Sequence, residues 1–484
     1  MRRLPLTFTV TLLVLSCGDD IPPGSDGSNG SSGSTGSDPT GSTSTMTPTG
    51  STTVDPSSST GPMTTGVDSS SSGIPVECGN GMVEGDEQCD DENDVNGDGC
   101  YSDCTLPYEV LWTETHDEAG DADFANKALF DAEGNLYVLG NVEVAGQGSD
   151  LWLRQYLPDG SAGWTYTYNG MANEDEFGTH LAWHDSGDLL VVGSTETETE
   201  DDILVMRLGI SNQTPVWTDI YSGPGTGPEP IDVTDFGDGI FGAANGDVLV
   251  AGTQRVDGQE YDMWLRRYDA EGNELWTQTV NNDAFNGSDS ADSVLEDSNG
   301  DIYLVGATEV AQSMFEAWIR KYDSAGVEIW TQQLPDRRVR EAALDPMNNL
   351  VLAGFNIGAS LDLWVAKYDP DFNEIGSTGH DGPSGLADIA RGVAVDAAGD
   401  VYLGGFVTVV GEVENVWIGR YQSDLQMRWW SDSYGNEDST LTDEAGSVAV
   451  SDDGTRVAVV GFESVIGQDA NVWVRMYQNN PVPQ

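Results

Sequence analysis

From Leu111 to the C-terminus the apolar residues fall in short runs of four to seven, separated by Gly, Asp and Asn. The first unit reads "ANKALFD", "NLYVLGN", "LWLRQYL" and "GWTYTY", four stretches rich in Val, Leu, Tyr and Trp. Runs of this length and composition, bounded by turn residues, predict β-strands, and no segment sustains a helical period. The pattern then recurs. "YDMWLRRYDAEGNELWT" (Tyr261 to Thr277) is answered 54 residues later by "FEAWIRKYDSAGVEIWT" (Phe315 to Thr331). The Asp-x-x-Gly between Tyr and the final strand predicts a type I turn followed by a left-handed Gly.

Three marks count the units. Trp-Thr or its equivalent falls at Trp112, Trp164, Trp217, Trp276, Trp330, Gly376 and Trp429. A Gly ending an aliphatic run falls at Gly140, Gly193, Gly252, Gly306, Gly354, Gly405 and Gly461. A third mark falls at Trp152, Leu204, Trp264, Trp318, Trp364, Trp417 and Trp473. Each counts seven, with spacings of 46 to 60 residues. Four strands per unit, repeated radially, predict an all-β fold, a seven-bladed β-propeller, with a β-solenoid as the structural rival. The repeats resemble the "GNxYVxG … DxWxxKY … LW" units of seven-bladed propellers in exported bacterial proteins, over residues 111–477. That resemblance implies a fold and leaves activity open, because propellers host many functions.

The units are out of phase with the chain. The region opens with a fourth strand, "VLWTETH" (Val110 to His116), and closes with a third, "VWVRMYQ" (Val472 to Gln478). The two ends are therefore expected to pair and complete the last blade, since an unpaired edge invites aggregation. The strictly periodic Trp residues read as core packed between blades rather than as sugar platforms. Nine of the 19 basic residues lie in the third strand of their unit (Arg154, Arg207, Arg266, Arg267, Arg320, Lys321, Lys367, Arg420 and Arg475) and read as scaffold paired with nearby acids.

One polar position repeats as well. Eight residues before the turn of each inner strand stand Asp123, Glu176, Asp235, Asp289, Arg337, Asp388 and Asp443, usually with a small residue two positions later. Two readings follow: a side-chain cap on backbone amides in each blade, or a rim of ligands around one channel mouth, able to bind Ca²⁺ or a cationic or polyhydroxy molecule. The fifth unit breaks the ring with Arg337, Arg338 and Arg340, which read either as partners of neighbouring acids or as an anion contact on that rim.

The N-terminal part is of another kind. Met1-Arg2-Arg3 followed by an apolar stretch, Leu4 to Leu15, has the form of a signal peptide and is too short for a permanent span. It ends in Val14-Leu15-Ser16-Cys17, which resembles a bacterial lipobox, implying cleavage before Cys17 and lipidation of its thiol. Residues 18–74 are Ser, Thr, Gly, Pro and Asp, a composition that predicts a disordered tether with a span of roughly 40 Å. Residues 75–107 hold Cys78, Cys89, Cys100 and Cys104, read in an exported chain as two disulfides with three possible pairings. The propeller is assigned to residues 108–480.

"CGNG" at Cys78 to Gly81, Glu87 with Cys89-Asp90-Asp91, and Gly97-Asp98-Gly99-Cys100 resemble the Myxococcus-type cysteine-rich repeat, a family of unknown function in exported bacterial proteins. The sequence departs from it at Glu92, where the family has Gly and where Glu resists φ > 0. Asp94, Asn96 and Asp98 have the start of a calcium loop, but position 12 is Thr105, so the loop is not an EF-hand. Asp90, Asp91, Asp94, Asn96 and Asp98 remain candidate calcium ligands, the alternative being a solvated acidic loop.

Charge narrows the partners. The chain carries 82 acidic and 19 basic residues, a formal net charge of −63. Such a chain repels nucleic acid and anionic membranes, leaving the lipid as its only expected membrane contact. No nucleophile elbow, phosphate loop or zinc motif appears, and His180 and His184, i and i+4 in a strand, do not face one metal. The sequence thus predicts a lipid-anchored outer-membrane or cell-surface module, monomeric and non-enzymatic, that binds an extracellular protein or glycan, with calcium the only cofactor in prospect. The alternative is a hydrolase or lyase acting on extracellular polymers through rim carboxylates. If the lipobox is used, incorporation of a fatty-acid probe is lost in Cys17→Ser and the protein leaves the membrane fraction; unchanged label and fractionation would reject it.

Overall fold

The computed structural model describes residues 78–482, except 81, 84–86, 91, 94–95, 97–99, 119–121, 198–200, 226–234, 258–259, 283–286, 313, 383, 411–412 and 436–440. The signal segment, Cys17 and the tether lie outside the described residues. Those that are described form 28 β-strands and no helix. The strands, numbered β1–β28 in chain order, group into seven antiparallel four-stranded sheets. Six blades are consecutive in sequence, the first running from β2 (Phe124–Phe130) to β5 (Ala162–Tyr168). The fold is the expected seven-bladed propeller.

The seventh blade draws on both ends of the chain. Its order is β1-β28-β27-β26, with β1 spanning Tyr108–His116, β26 Asp443–Val450, β27 Arg456–Val465 and β28 Asp469–Asn479. Val110 faces Tyr477 and His116 faces Val472 across the β1/β28 ladder. Trp112 on this strand stacks on Tyr156 of blade one at 5.8 Å and donates to Pro158 O at 3.4 Å. The closing strand thereby contributes to the next blade interface too. The same contact recurs where Trp217 donates to Ala270 O at 3.2 Å.

The other periodic marks have their physical cause in the inner strands. These are β2, β6 (Glu176–Trp183), β10 (Phe236–Gly242), β14 (Asp289–Glu296), β18 (Arg337–Leu344), β22 (Asp388–Val395) and β26. Each carries a bulge at the third residue after the repeated polar position. Beside the bulge, the small residue pairs with the periodic Gly of the second strand, as in Ala125 with Gly140 and Ala291 with Gly306. A Cβ on any of these seven glycines would collide with the facing carbonyl oxygen, so close backbone approach requires Gly. The Trp or Leu of the third strand is buried in every blade, with Trp264 and Trp473 at 0% exposure.

The third-strand basic residues are scaffold. Arg267 pairs with Asp247 and Glu296, both at 2.8 Å, and Lys367 with Asp345 at 2.9 Å. Arg475 stacks over Trp473 and Tyr434, at 4.9 and 4.3 Å.

Because β1 supplies the outer strand of the last blade, deleting residues 108–117 should lower the stability of the whole propeller. Chemical denaturation is expected to keep a single transition at reduced midpoint, or to find no folded protein. An intact main transition with only a small local loss would show that the ring does not depend on closure.

Candidate functional site

The repeated acids do not present themselves to a ligand. Asp123, Glu176, Asp235, Asp388 and Asp443 are at 0% exposure and Asp289 at 1%. Their oxygens accept hydrogen bonds from the loop entering the inner strand and from the end of the second strand. Asp123 takes Glu118 N–H at 2.6 Å and Glu143 N–H at 2.8 Å; Asp235 takes Gly223 N–H at 2.5 Å and Arg255 N–H at 2.7 Å. Asp388 takes Gly382 and Thr408 N–H, Asp443 takes Ser464 N–H at 2.9 Å, and Asp289 takes Asn282 N–H and the Thr308 hydroxyl, both at 2.5 Å. Glu176 takes the Thr195 hydroxyl at 3.0 Å. This is the geometry of one cap per blade rather than of a ligand rim. Burial pushes the carboxyls up, Asp123 to about 6 and Glu176 to about 7, and raises Asp289 and Asp388 as well.

The arginines of blade five separate. Arg337 lies over the Trp364 ring at 5.4 Å and donates to Asp336 O. Arg338 is 2% exposed, donating to Ser290 Oγ at 3.1 Å and Asp292 Oδ1 at 3.2 Å of blade four, so it is an interior ion pair and not a rim residue. Arg340 occupies the bulge of its strand and lies over Phe355.

That bulge position is where the polar chemistry converges. Asn126, Thr179, Asp238, Asp292, Arg340, Arg391 and Gly446 stand at the bulges of blades one to seven in order, and all seven line one axial cavity of about 190 Å³. The bulge turns two successive residues toward the axis, so Lys127, His180 and Glu341 line it too. They meet across the channel. Lys127 Nζ contacts Glu341 Oε1, His180 Nε2 stands 3.5 Å from the same oxygen, and Glu341 Oε2 accepts Val393 N–H at 2.9 Å. Burial draws the Lys127 ammonium down to about 7. Burial and the Lys127 charge lower His180 well below its usual range, making it the neutral member. Arg391 pairs with Glu444 at 2.6 Å. Sequence reasoning named Arg340 and set His180 aside as a metal ligand. It missed the rest, although in six of the seven blades the bulge residue directly follows the periodic small residue.

Two further cavities open among the turns that join first and second strands. One, of about 520 Å³, is walled by Trp183 and Phe241 and edged by Asn245, Ser298, Asn299 and the Arg267–Glu296 pair. The other, of about 310 Å³, lies among Leu344, Val395, Val450 and their turns.

In the cysteine-rich module Cys78 bonds Cys104 and Cys89 bonds Cys100, a nested pairing. Asp90 anchors the turns, accepting Gly79 N–H at 2.9 Å, Asn80 N–H at 3.1 Å and Glu92 N–H at 3.0 Å. Asn96 Oδ1 accepts Ser102 N–H at 2.7 Å. Asp91, Asp94 and Asp98 lie outside the described residues. Asp90, Glu87 and Cys104 approach one another, but Cys104 is in a disulfide and is not a thiolate ligand. Glu92 takes the left-handed conformation at φ 70°, where the resembled family has Gly. The module rests on the propeller: Tyr101, 1% exposed, donates to Asn480 O at 3.3 Å, and Asn480 Nδ2 donates to Leu106 O at 2.7 Å.

Residues 75–105 match a domain of unknown function (DUF4215). Two disulfides in so short a module mark an oxidising, extracytoplasmic compartment. No curated protein matches the chain. Among solved structures, it is similar to a protein of unknown function from Bacteroides caccae at 10% identity and TM-score 0.39, covering 58% of this chain and 90% of that one. The C-terminal WD40 domain of Sif2 is similar at 8% identity and TM-score 0.41, covering 76% and 97%. Puromycin hydrolase is similar at 12% identity and TM-score 0.47, covering 74% of this chain and 53% of that one.

The caps predict a pH dependence. A carboxyl whose pKa is higher in the folded than in the unfolded chain, near 4 for Asp, stabilises the fold fully below the unfolded value and loses that contribution as pH rises through the folded one. With Asp123 at about 6 and Glu176 at about 7, the parent's melting temperature should fall relative to that of Asp123→Asn with Glu176→Gln as pH is raised from 5 to 7.5. The lowered His116, His180 and His380 act in the opposite direction in both proteins and cancel in the comparison. A difference between the two proteins that is constant or grows in the parent's favour over that interval would contradict this.

Proposed function

We propose that the protein is a lipid-tethered, extracytoplasmic β-propeller that works as a non-enzymatic binding module and takes a glycan on the face of its inner-strand turns. The observation that carries this is Trp183. Of 14 tryptophans, all but Trp183 and Trp429 sit on the two periodic marks, because the strand register puts Trp430 rather than Trp429 opposite Arg420, as Trp276 stands opposite Arg267. Trp183 ends an inner strand, where the other blades have Phe130, Gly242, Glu296, Leu344, Val395 and Val450. It is half-buried and walls the 520 Å³ cavity.

Its ring is held in place, packed edge-on against Tyr137 at 5.3 Å and donating from Nε1 to Phe130 O at 2.9 Å. An aromatic wall beside amide, hydroxyl and carboxylate groups suits the apolar faces and hydroxyls of a sugar, and 520 Å³ falls within the usual range for small-ligand pockets. The acids that rim-based hydrolysis would use are engaged with backbone amides and hydroxyls instead. That favours binding over turnover.

A glycan array probed with the Cys17→Ser protein should show saturable retention without release of reducing ends. Trp183→Ala should weaken it by about tenfold or more, ~1.4 kcal/mol, whereas Trp183→Phe should keep most of it. Retention indifferent to Trp183, or binding only to protein ligands, would reject the glycan assignment; polymer cleavage would favour the hydrolase.

A further inference from the structure

We infer that the axial cavity is a second, separate site that binds a small zwitterion of the free α-amino-acid class, one carboxylate and one ammonium on a compact body. The order of charges around the ring is the first ground. Asp238 and Asp292 stand on adjacent blades three and four, and Arg340 and Arg391 on adjacent blades five and six. Blades one and two contribute uncharged Asn126 and Thr179. Blade seven contributes Gly446, which leaves its side of the ring without a side chain. At the bulge positions acid and base are thus on different arcs, while Lys127 of blade one and Glu341 of blade five, which also line the cavity, neutralise each other as a pair; the charges left to a ligand form two opposite poles.

Two charged ring residues also hold neighbours. Arg391 pairs with Glu444, and Asp292 with Arg338. This does not block a ligand, because a guanidinium has five N–H donors and a carboxylate about four lone-pair sites. A ligand carboxylate would lie in the fork of Arg340 and Arg391, and its ammonium would donate to Asp238 and Asp292. The ion pairs instead fix the geometry before binding, which lowers the entropy cost of capture.

Size and field support the same class. The cavity of about 190 Å³ would hold about six waters at roughly 30 Å³ each, the scale of a molecule as small as an amino acid. Two buried polar atoms at its wall, Arg391 Nε and His180 Nδ1, have no hydrogen-bond partner in the protein. Such groups in a polar cavity are commonly satisfied by something bound there. Finally, a formal charge of −63 opposes the approach of a bare anion, while a neutral zwitterion meets no such field.

The test is calorimetry and ligand-observed NMR on the full chain carrying Cys17→Ser, using the free L-α-amino acids as probes beside their N-acetyl and methyl-ester forms. At least one free amino acid should bind at sub-millimolar concentration. Acetylation and esterification should each weaken it about tenfold or more. Asp238→Asn should weaken it similarly, and so should Arg391→Gln where that variant retains the parent melting temperature. Trp183→Ala should leave this binding unchanged, which separates the site from the glycan face. Absence of binding by every free amino acid at millimolar concentration would overturn the assignment. So would equal binding of the acetylated or esterified forms, or indifference to Asp238→Asn.

Discussion

Everything in this ring depends on one ladder, β1 against β28. A propeller blade buries its faces only against two neighbours, so six blades joined in sequence still leave two bare flanks and one bare edge. The nine-residue strand Tyr108–His116 covers that edge and at the same time places Trp112 on blade one. The pairing is among the most non-local contacts a chain of this length can make, and loop-closure entropy must be met before it forms. The inner caps and the Gly-to-bulge contacts are local and set each blade's shape. The β1/β28 ladder completes the blade that closes the ring, and Ala449, Ala458 and Val460 of that blade pack on Ala125, Ala128 and Val138 of blade one.

Much of this was legible in the sequence because repetition multiplies weak signals. A single acid-x-small triplet means little, but six at one register mark an obligatory backbone feature, and Asp388 accepting Gly382 and Thr408 N–H is that feature. Phase also showed in the sequence, since a surplus fourth strand at one end and a missing one at the other admit few closed arrangements. The axial cavity was not legible, for a definite reason. A two-residue period assigns Asn126 and Lys127 to opposite faces, yet the bulge after Ala125 brings both to the cavity. Nor does any local pattern announce that Lys127, His180 and Glu341, on three different blades, share one carboxylate oxygen. The rim expectation for Arg338 failed likewise, because its partner Asp292 belongs to the neighbouring blade.

The two faces of interest differ in chemistry although one repeat generates both. Near the caps the inner strands turn charged residues inward at the bulge; toward the turns they end in Phe130, Trp183, Leu344, Val395 and Val450. The surplus of negative charge is carried elsewhere, so the cavity, with Lys127, Arg340 and Arg391 facing Asp238, Asp292 and Glu341, is close to balanced. A polar, compensated interior and an aromatic, amide-edged mouth are environments for different ligands.

The cysteine-rich module has a mechanical consequence. It stands between the N-terminal 77 residues and the closing strand, and its last turn is tied to the opposite end of the chain through Tyr101 and Leu106 to Asn480. Asn480 N–H also donates to Pro107 O at 3.0 Å, and Asn479 holds Tyr402 and Gly454. A pull on the N-terminus is therefore carried by the Cys78–Cys104 bond straight to Cys104, without extending the loop between them. It next meets the contacts to Asn480, which stand ahead of the first rung of the closing ladder, Tyr108 opposite Asn479. The place where the ring was closed thus begins with bonds that belong to the small module.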